Sequence, residues 1–392
     1  SVSYGRNDYG KFVGNQAGSK ESPYVIKDGV GLLAMSALNG AKSNTGGGTG
    51  YYSFKDEYIE FADGLNNIEG LKASYINMDM TTSSYSLKSN SSGSTVYGQS
   101  GKNYYLYSLG AASGNTTIRY GSSPATAAAL RTNWYNKNYY FNGSSYVNGA
   151  SYNTYVNNYP IGSVSVPFAG NINGAQGASG NTEIRNLKIS VRQSTNAFAG
   201  LFGTVYDASV AHITVTGKVS AYTSANTASS RSFAGGIAGY VGGDSKIEAC
   251  QAGGSSATLI VTAYADTSAQ TAPSVEGYAG GIAGAAGPSK PTSRTQDLKV
   301  LELSNNRVSN AQINTIRRNA GGIIGYVGNP WKLSGATTGR GNYVNVYDSY
   351  VYGATISALA TSTVSTSGVD IGGLAGANDG DVFFTVSGAN IG

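Results

Sequence analysis

A short glycine motif that recurs five times in the second half of the chain limits its possible folds more than any other feature. Each copy consists of a small residue, Gly, a hydrophobic residue, a further residue and Gly. The copies occupy residues 199–203, 235–239, 280–284, 321–325 and 372–376. Their final glycines are 36, 45, 41 and 51 residues apart. Spacings of this size are typical of repeat architectures, and their irregularity indicates loops inserted between similar units.

Short runs of β-branched and aromatic residues follow each copy and indicate strands. These runs cover residues 210–219, 258–264, 298–303, 343–347 and 382–386. In a coiled parallel sheet, the same position on successive rungs lies about 4.8 Å apart. We therefore expect the hydrophobic positions of the motif to form a buried apolar column. These positions are Ile237, Ile282, Ile323 and Leu374.

The glycines of the motif have a predicted structural task, either a bend of the backbone at a corner or the close approach of a neighbouring rung. They include Gly203, Gly236, Gly239, Gly281, Gly284, Gly322, Gly325, Gly373 and Gly376. The first three copies are preceded by aromatic residues, and the last two by Asn319 and Asp370, so we expect those two rungs to turn differently. A rung of roughly 20–25 residues predicts about ten parallel rungs over residues 160–392.

The composition independently indicates a mostly β protein. The 392 residues include 56 Gly, 30 Tyr and 8 Pro, and only 12% are charged. Glycine, tyrosine and other turn and strand formers dominate, and an aromatic content of 11% argues against disorder. The net charge of +5 is scattered along the chain, which predicts no nucleic-acid partner. No apolar run reaches about 18 residues, so no membrane span is predicted.

The repeated motif resembles the GLUG-motif β-helix repeats of bacterial surface and secreted proteins. The resemblance covers residues 21–42 and 160–392. It implies a right-handed parallel β-helix, a solenoid whose first rung is covered by a short N-terminal helix. The apolar spacing places that helix at residues 28–38, with Asp28 as its N-cap and Gly40 beyond its end. The family has no shared catalytic set, so the resemblance assigns no functional residue.

The chain divides into three predicted regions. Residues 1–65 form the N-terminal segment and cap, residues 66–159 a Tyr-, Ser- and Asn-rich β insertion, and residues 160–392 the GLUG-like rungs. The insertion is either a lobe with its own core or a contact surface, because tyrosine is enriched in interfaces. The second interpretation assigns interface roles to Tyr104, Tyr105, Tyr107, Tyr135, Tyr139 and Tyr140.

Residues that carry enzyme chemistry are scarce. His212 is the only histidine and lies in a predicted strand, and Cys250, the only cysteine, is expected to be a small core residue. Acidic residues cluster at 56–60 and at 378–381, without the two placed carboxylates that glycoside hydrolysis requires. The second cluster is left as a weak calcium-binding candidate. We predict a protein that is not an enzyme and has no cofactor and no metal site.

These observations predict an extracellular or cell-surface structural protein, secreted with its signal peptide removed. After residues 382–386 the sequence reaches a turn at Gly388 and stops at Gly392. An uncapped rung would pair with another copy, against its residues 1–15, and head-to-tail pairing of this kind gives a filament or sheath. The alternative explanation of the uncapped rung is that the sequence is a piece of a longer protein. The alternative functions are a surface adhesin or glycan-binding solenoid and, third, a polysaccharide-processing enzyme.

Overall fold

The described part of the chain is an all-β structure with extensive parallel sheets, seen in a computed structural model. The described residues are 18–21, 23–26, 35, 39, 42–43, 53–61, 67–69, 85–89, 95–99, 102–103, 118–119, 139–141, 146–148, 160–174, 180–193, 195–223, 231–265, 276–287, 299–316, 318–328, 343–359, 369–378 and 383–392. Within these residues, no helix is long and apolar enough to cross a membrane.

The strands fall into an N-terminal group and a series of successive coils. The N-terminal strands are β1 (Tyr24–Ile26), β2 (Lys42–Ser43), β3 (Tyr58–Phe61), β4 (Asn67–Glu69), β5 (Tyr85–Ser89), β6 (Thr95–Gln99), β7 (Lys102–Asn103), β8 (Ile118–Arg119), β9 (Tyr139–Phe141) and β10 (Tyr146–Asn148). Coil 1 contains β11 (Asn171–Asn173), β12 (Thr182–Gln193), β13 (Ala197–Ala199) and β14 (Phe202–Tyr206). Coil 2 contains β15 (Ser209–Ala211), β16 (Ile213–Thr223), β17 (Arg231–Gly235) and β18 (Ala238–Gly242).

Three further coils follow, and a sixth begins. Coil 3 contains β19 (Lys246–Glu248), β20 (Gln251–Ala252), β21 (Leu259–Ala265), β22 (Glu276–Gly280) and β23 (Ala283–Gly287). Coil 4 contains β24 (Val300–Ser304), β25 (Arg307–Ile316), β26 (Asn319–Gly321) and β27 (Ile324–Val327). Coil 5 contains β28 (Tyr343–Tyr347), β29 (Tyr350–Leu359), β30 (Asp370–Gly372) and β31 (Ala375–Asn378), and β32 (Phe383–Ser387) and β33 (Asn390–Ile391) begin the next.

Four parallel sheets form the body of the molecule, and coils 1 to 5 contribute to each of them. Sheet 1 has the order β1-β3-β11-β15-β19-β24-β28-β32, and sheet 2 the order β4-β12-β16-β20-β25-β29-β33, with β21 also pairing β16 and β25. Sheet 3 is β13-β17-β22-β26-β30, and sheet 4 is β14-β18-β23-β27-β31. The chain visits the four sheets in turn and returns to sheet 1 one strand further on, which is the connectivity of a solenoid. The prediction of an all-β fold with parallel sheets is confirmed.

The predicted number of rungs is wrong. Each coil contains one glycine motif, at the corner between sheets 3 and 4, so residues 160–392 hold five coils instead of about ten rungs. Equivalent residues of successive motifs pair directly, as Gly280 does with Gly235 and Gly321. Because each coil has four sides and four connections, a complete turn uses the whole 36–51 residues between motifs.

Most of the interior is one apolar core built from columns of stacked side chains. In sheet 1, one inward column runs through every coil by direct register. It consists of Ile172, Val210, Ile247, Leu303, Val346 and Val386, and all but the last are buried. Alternation along each strand sends neighbouring residues outward, which gives the buried and less buried positions of β28 in turn. β-Branched residues suit this pleated and half-buried surface.

In coils 2 to 5 and in the strands that begin the sixth, the corner between sheets 1 and 2 contains one left-handed residue. His212, Ala249, Asn305, Asp348 and Gly388 have φ values of 57°, 51°, 55°, 45° and 67°. The residue after each points inward, and three of these form a polar ladder. The Cys250 N–H donates to Asn306 Oδ1 at 2.9 Å, and the Asn306 N–H donates to Ser349 Oγ at 3.2 Å. These bonds satisfy backbone donors that the corner removes from the sheets.

The described N-terminal strands extend two sheets of the solenoid, since β1 and β3 continue sheet 1 and β4 continues sheet 2. Residues 160–168 bridge to β14 at Ile161 and Phe168, and the Phe54 and Phe168 rings are 5.9 Å apart. The predicted helix at 28–38 lies outside the described residues except for Met35, which is buried and accepts a hydrogen bond from the Asn39 N–H at 2.9 Å. Antiparallel pairing occurs in the insertion and beside it, between β5, β6 and β7, between β9 and β10, and between β2 and β8.

Candidate functional site

The glycines of the repeated motif lie where backbones of neighbouring strands are in contact. A Cβ added to Gly236 would lie 2.5 Å from Gly281 O and 2.7 Å from Leu259 Cδ2. A Cβ on Gly239 would lie 2.7 Å from Gly203 O and 2.9 Å from Ala199 N. None of the nine predicted repeat glycines has a positive φ. Both tasks predicted for the motif glycines are seen here, because the chain bends at the glycine in the second position of each copy and neighbouring backbones approach closely. The left-handed turns lie at other residues.

The hydrophobic position of the motif points into the core. Ile237, Ile282 and Ile323 are fully buried, whereas Leu374 in coil 5 is half-buried and packs against the core from its edge. Backbone hydrogen bonds join these positions in series, from Ile237 to Ile282 and from Ile282 to Ile323, each at 3.0 Å. The motif is thus a structural corner and holds no group that reacts or binds.

The expectation that the last two rungs turn differently is wrong. Asn319 pairs directly with Tyr278, and Asp370 pairs with Asn319, so both coils keep the register of the earlier copies. The aromatic position forms a second cluster between sheets 3 and 4, with the Phe198 and Phe233 rings stacked at 4.7 Å. Tyr326 of sheet 4 packs against Tyr278 at 5.0 Å. An aromatic residue is therefore not needed for the corner geometry, which depends on the glycines.

One charged network lies beside this cluster. Glu276 accepts from Arg231 Nε at 2.9 Å, pairs with Arg318 at 2.8 Å and accepts a hydrogen bond from the Tyr278 hydroxyl. Burial acts to raise the pKa of Glu276, but the hydrogen bonds from Tyr278 and Arg231 and the arginine charges outweigh it and lower the pKa. The sequence analysis missed this network, although Arg231 and Glu276 both stand two residues before the aromatic position. All of its polar groups are paired, which is typical of a structural site.

His212 and Cys250 are both positioned by the corner between sheets 1 and 2. His212 is half-buried and its φ of 57° makes it part of the turn. Cys250 is fully buried and forms no disulfide, and burial raises the pKa of its thiol to about 12. A thiol with such a pKa is almost entirely protonated at neutral pH and is a poor nucleophile.

The acidic groups do not converge in the described part of the chain. Among these residues, no group of three or more His, Cys, Asp or Glu side chains could hold a metal ion. Of the acidic run at 56–60, the Glu60 side chain is half-buried in β3 and Asp56 has a φ of 61° in the preceding turn. In the second run, Asn378 ends β31, and residues 379–382 lie outside the described residues.

The tyrosines predicted to form an interface fall largely outside the described residues. Tyr104, Tyr105, Tyr107 and Tyr135 are not described. Tyr139 and Tyr140 belong to β9, which pairs antiparallel with β10, and only their backbone is described. Their role therefore stays a prediction.

The last strands of all four sheets form what we call the open edge, β30 to β33. None of these strands has a second partner strand among the described residues. Ile371, Val386 and Ile391 are exposed, and each is in register with a buried residue of the preceding coil: Ala320, Val346 and Val351. The open edge thus continues the core columns with apolar side chains that lack cover.

A polar cleft of about 520 Å³ lies on the outer surface along the corner between sheets 1 and 2. We call it the corner cleft, and its polar lining consists of Asn181, Glu183, Thr214, Gln251, Asn305 and Arg307, with Ser255 at one side. A loop peculiar to coil 3, between β20 and β21, forms that side. It is held by Asn310 Nδ2, which donates to Gly254 O at 3.1 Å.

An aromatic surface begins where the corner cleft ends. In coil 5, tyrosines alternate with buried valines along β28 and into β29, and we call the outward set the tyrosine strip: Tyr343, Tyr347, Tyr350 and Tyr352. The Tyr343 ring stacks on Phe383 at 5.2 Å, and the Arg307 guanidinium lies 5.8 Å from the centre of the Tyr350 ring. Sequence reasoning recognised only a strand here. The alternating pattern YVNVYDSYVY was the signal for an exposed aromatic face.

Comparison with protein-family models, with curated proteins and with solved structures finds no match.

Proposed function

We propose that this protein is an extracellular structural subunit that assembles through its open edge into a surface filament or sheath. The observation that carries the proposal is the open edge itself. Main-chain donors and acceptors at the edge of a sheet template pairing with another chain. Here four parallel sheets present such edges together, and Ile371, Val386 and Ile391 extend the apolar columns of the core.

The partner in this proposal is a second copy, docked head to tail. The first strand of sheet 1, β1, also has no second partner strand among the described residues, but its Tyr24 and Ile26 side chains are buried, unlike the apolar side chains of the open edge. We therefore place the incoming strand in residues 1–15 of the neighbouring copy, which lie outside the described residues. Addition of a strand to an exposed sheet edge is a recurring mode of protein recognition. A heterologous contact that does not close into a ring gives a fibre.

The finer architecture belongs to the same proposal. The solenoid is right-handed, since connections between parallel strands of one sheet are overwhelmingly right-handed. A short helix at 28–38 covers its first coil, as terminal caps of repeat proteins do. The chain is a GLUG-type repeat protein of a cell surface and has no catalytic role. The spaced glycine corners and the uninterrupted apolar columns support this assignment.

The test is the assembly state of the full chain. Electron microscopy and sedimentation of the purified protein should show linear polymers. Ile391→Asp should abolish them, because it places a charge on the open edge. Val300→Asp is the matched control, since Val300 is similarly exposed but lies on the outer face of sheet 1. Circular dichroism must show both variants folded. A wild-type protein that stays monomeric at high concentration, or polymers unaffected by Ile391→Asp, would overturn the proposal.

A further inference from the structure

We propose that the corner cleft and the tyrosine strip together form one binding groove for a linear, uncharged polysaccharide. The two surfaces are continuous because Arg307 lines the cleft and also lies 5.8 Å from the centre of the Tyr350 ring. The inference does not depend on assembly through the open edge. It assigns a ligand to the outer surface that successive coils form at the corner between sheets 1 and 2.

The cleft carries the hydrogen-bonding groups that sugar hydroxyls require, and its amides are held in place. Asn181 Nδ2 donates to Ala249 O at 2.8 Å and to Thr214 Oγ1 at 3.2 Å. Gln251 Nε2 donates to Gly253 O at 2.8 Å and to Ser309 Oγ at 3.2 Å. Because the amide nitrogens of Asn181 and Gln251 both donate within the protein, the two amide oxygens can accept hydrogen bonds from ligand hydroxyls. Side chains already fixed lose little conformational entropy on binding.

The tyrosine strip supplies the apolar part of the recognition. A sugar ring has one face of C–H groups and an edge of hydroxyls, and a tyrosine ring likewise combines an apolar face with a polar tip. Tyr350 and Tyr352 are exposed on the outer face of β29, and the buried Val351 separates them. Tyr343 extends the same surface along β28. Rings of this kind provide large rigid contact area at low entropic cost.

The length of the groove fits a short stretch of polymer. One register position at this corner runs through five successive coils and is occupied by Glu183, Thr214, Gln251, Arg307 and Tyr350. Adjacent parallel strands are about 4.8 Å apart, so these four steps span roughly 19 Å. A hexose unit lengthens an extended polysaccharide by a distance similar to the spacing between adjacent coils. The groove therefore accommodates about four sugar units, one for each step between coils.

The charge along the groove favours a neutral ligand. Glu183 pairs with Arg185 at 3.3 Å, and Arg307 and the exposed Asp348 add one charge of each sign. A binding site for a nucleic acid or an acidic polysaccharide would carry an excess of basic side chains. Such an excess does not occur here among the described residues that line the groove. Hydroxyl recognition by amides and stacking on aromatic rings require no net charge.

The experiment is retention of the full chain in native gels that contain a neutral polysaccharide. The probes are a β-glucan, an α-mannan, a xylan and dextran, with alginate as the acidic comparison. We expect at least one neutral polymer to retard the protein, with little change at high salt, because no ion pairs are formed. The Ile391→Asp background keeps this measurement separate from assembly.

Two variants locate the binding. Removal of both exposed rings by Tyr350→Ala and Tyr352→Ala should weaken retention at least about tenfold, as loss of aromatic anchors does in other interfaces. Gln251→Ala should weaken it less. Tyr264→Ala is the matched control, since the Tyr264 ring packs against Tyr222 in a tilted arrangement, 4.6 Å between ring centres, on sheet 2 away from the corner. No retention by any neutral probe, equal loss in the control, or stronger salt-sensitive retention by alginate would overturn the proposal.

Discussion

Coils 4 and 5 carry almost the same corner motif but place its hydrophobic residue in different environments. Ile323 of coil 4 is fully buried, whereas Leu374 of coil 5 is only half-buried. The same contrast occurs one coil later in sheet 2. There Val351 of coil 5 is 3% exposed, and its partner Ile391 in β33 is 60% exposed. The motif thus aims a side chain inward, and the next coil provides the burial. In a solenoid, most of the stabilisation is shared between neighbours.

The strongest test of this difference in burial is a charge placed at the hydrophobic motif position of coil 4 and, separately, of coil 5. Ile323→Asp should destabilise the protein by at least about 4 kcal/mol, because it removes a buried side chain and buries an unpaired carboxylate. Leu374→Asp should cost about 1 kcal/mol, since its carboxylate can reach water at the edge. Thermal melts followed by circular dichroism compare the two variants.

The single cysteine gives an independent measurement of the same pair. Cys250 is buried in coil 3 and its thiol pKa is raised to about 12, so labelling of the folded protein at neutral pH should be slow. Ile323→Asp should accelerate labelling strongly, and Leu374→Asp should leave it near the wild-type rate. Equal labelling rates in the two variants would contradict the difference between the coils.

A smaller effect is expected from adding one methyl group at the second glycine of the motif. A Cβ on Gly322 would meet the backbone oxygen of Gly373 and the buried Val351 side chain, so Gly322→Ala should cost about 3 kcal/mol. The nearest atoms to a Cβ on Gly373 all belong to the Ile391 side chain, which is exposed and free to move away, so Gly373→Ala should cost no more than about 0.5 kcal/mol. Chemical denaturation measures both. Similar losses would mean that the edge is as rigid as the interior.

The smallest effect concerns the left-handed corner, where the incomplete sixth coil has Gly388 and the inner coils have residues with side chains. Ala249 has a φ of 51°, a conformation that costs an L-residue about 1 kcal/mol or more. Ala249→Gly should therefore raise stability by about 0.5 kcal/mol, after the entropic cost of glycine is subtracted. Ala354→Gly, in strand β29 and without a positive φ, should lower stability by a similar amount. A loss of stability in Ala249→Gly would show that the corner is not strained.

Much of the local design of the coils could be predicted from the sequence. The alternation in residues 343–347 identifies a strand with Val344 and Val346 inward, and both are buried. The recurrence of the glycine motif identifies repeated parallel units, which the pairing of Gly235, Gly280 and Gly321 confirms. Both signals are short-range, because the direction of a side chain follows from its place in the strand period.

Only the tertiary structure decided what depends on contacts between coils. The size of one coil was misjudged because a corner and a side look alike in sequence when loops of varied length separate them. The ion pair of Arg231 with Glu276 joins residues that lie far apart in the chain, and so does the register path from Glu183 to Tyr350 across five coils. The sequence by itself determined which residues face inward and where backbones pack without side chains. The stacking of coils decided which of those residues are covered, because burial requires a neighbour that no local pattern encodes.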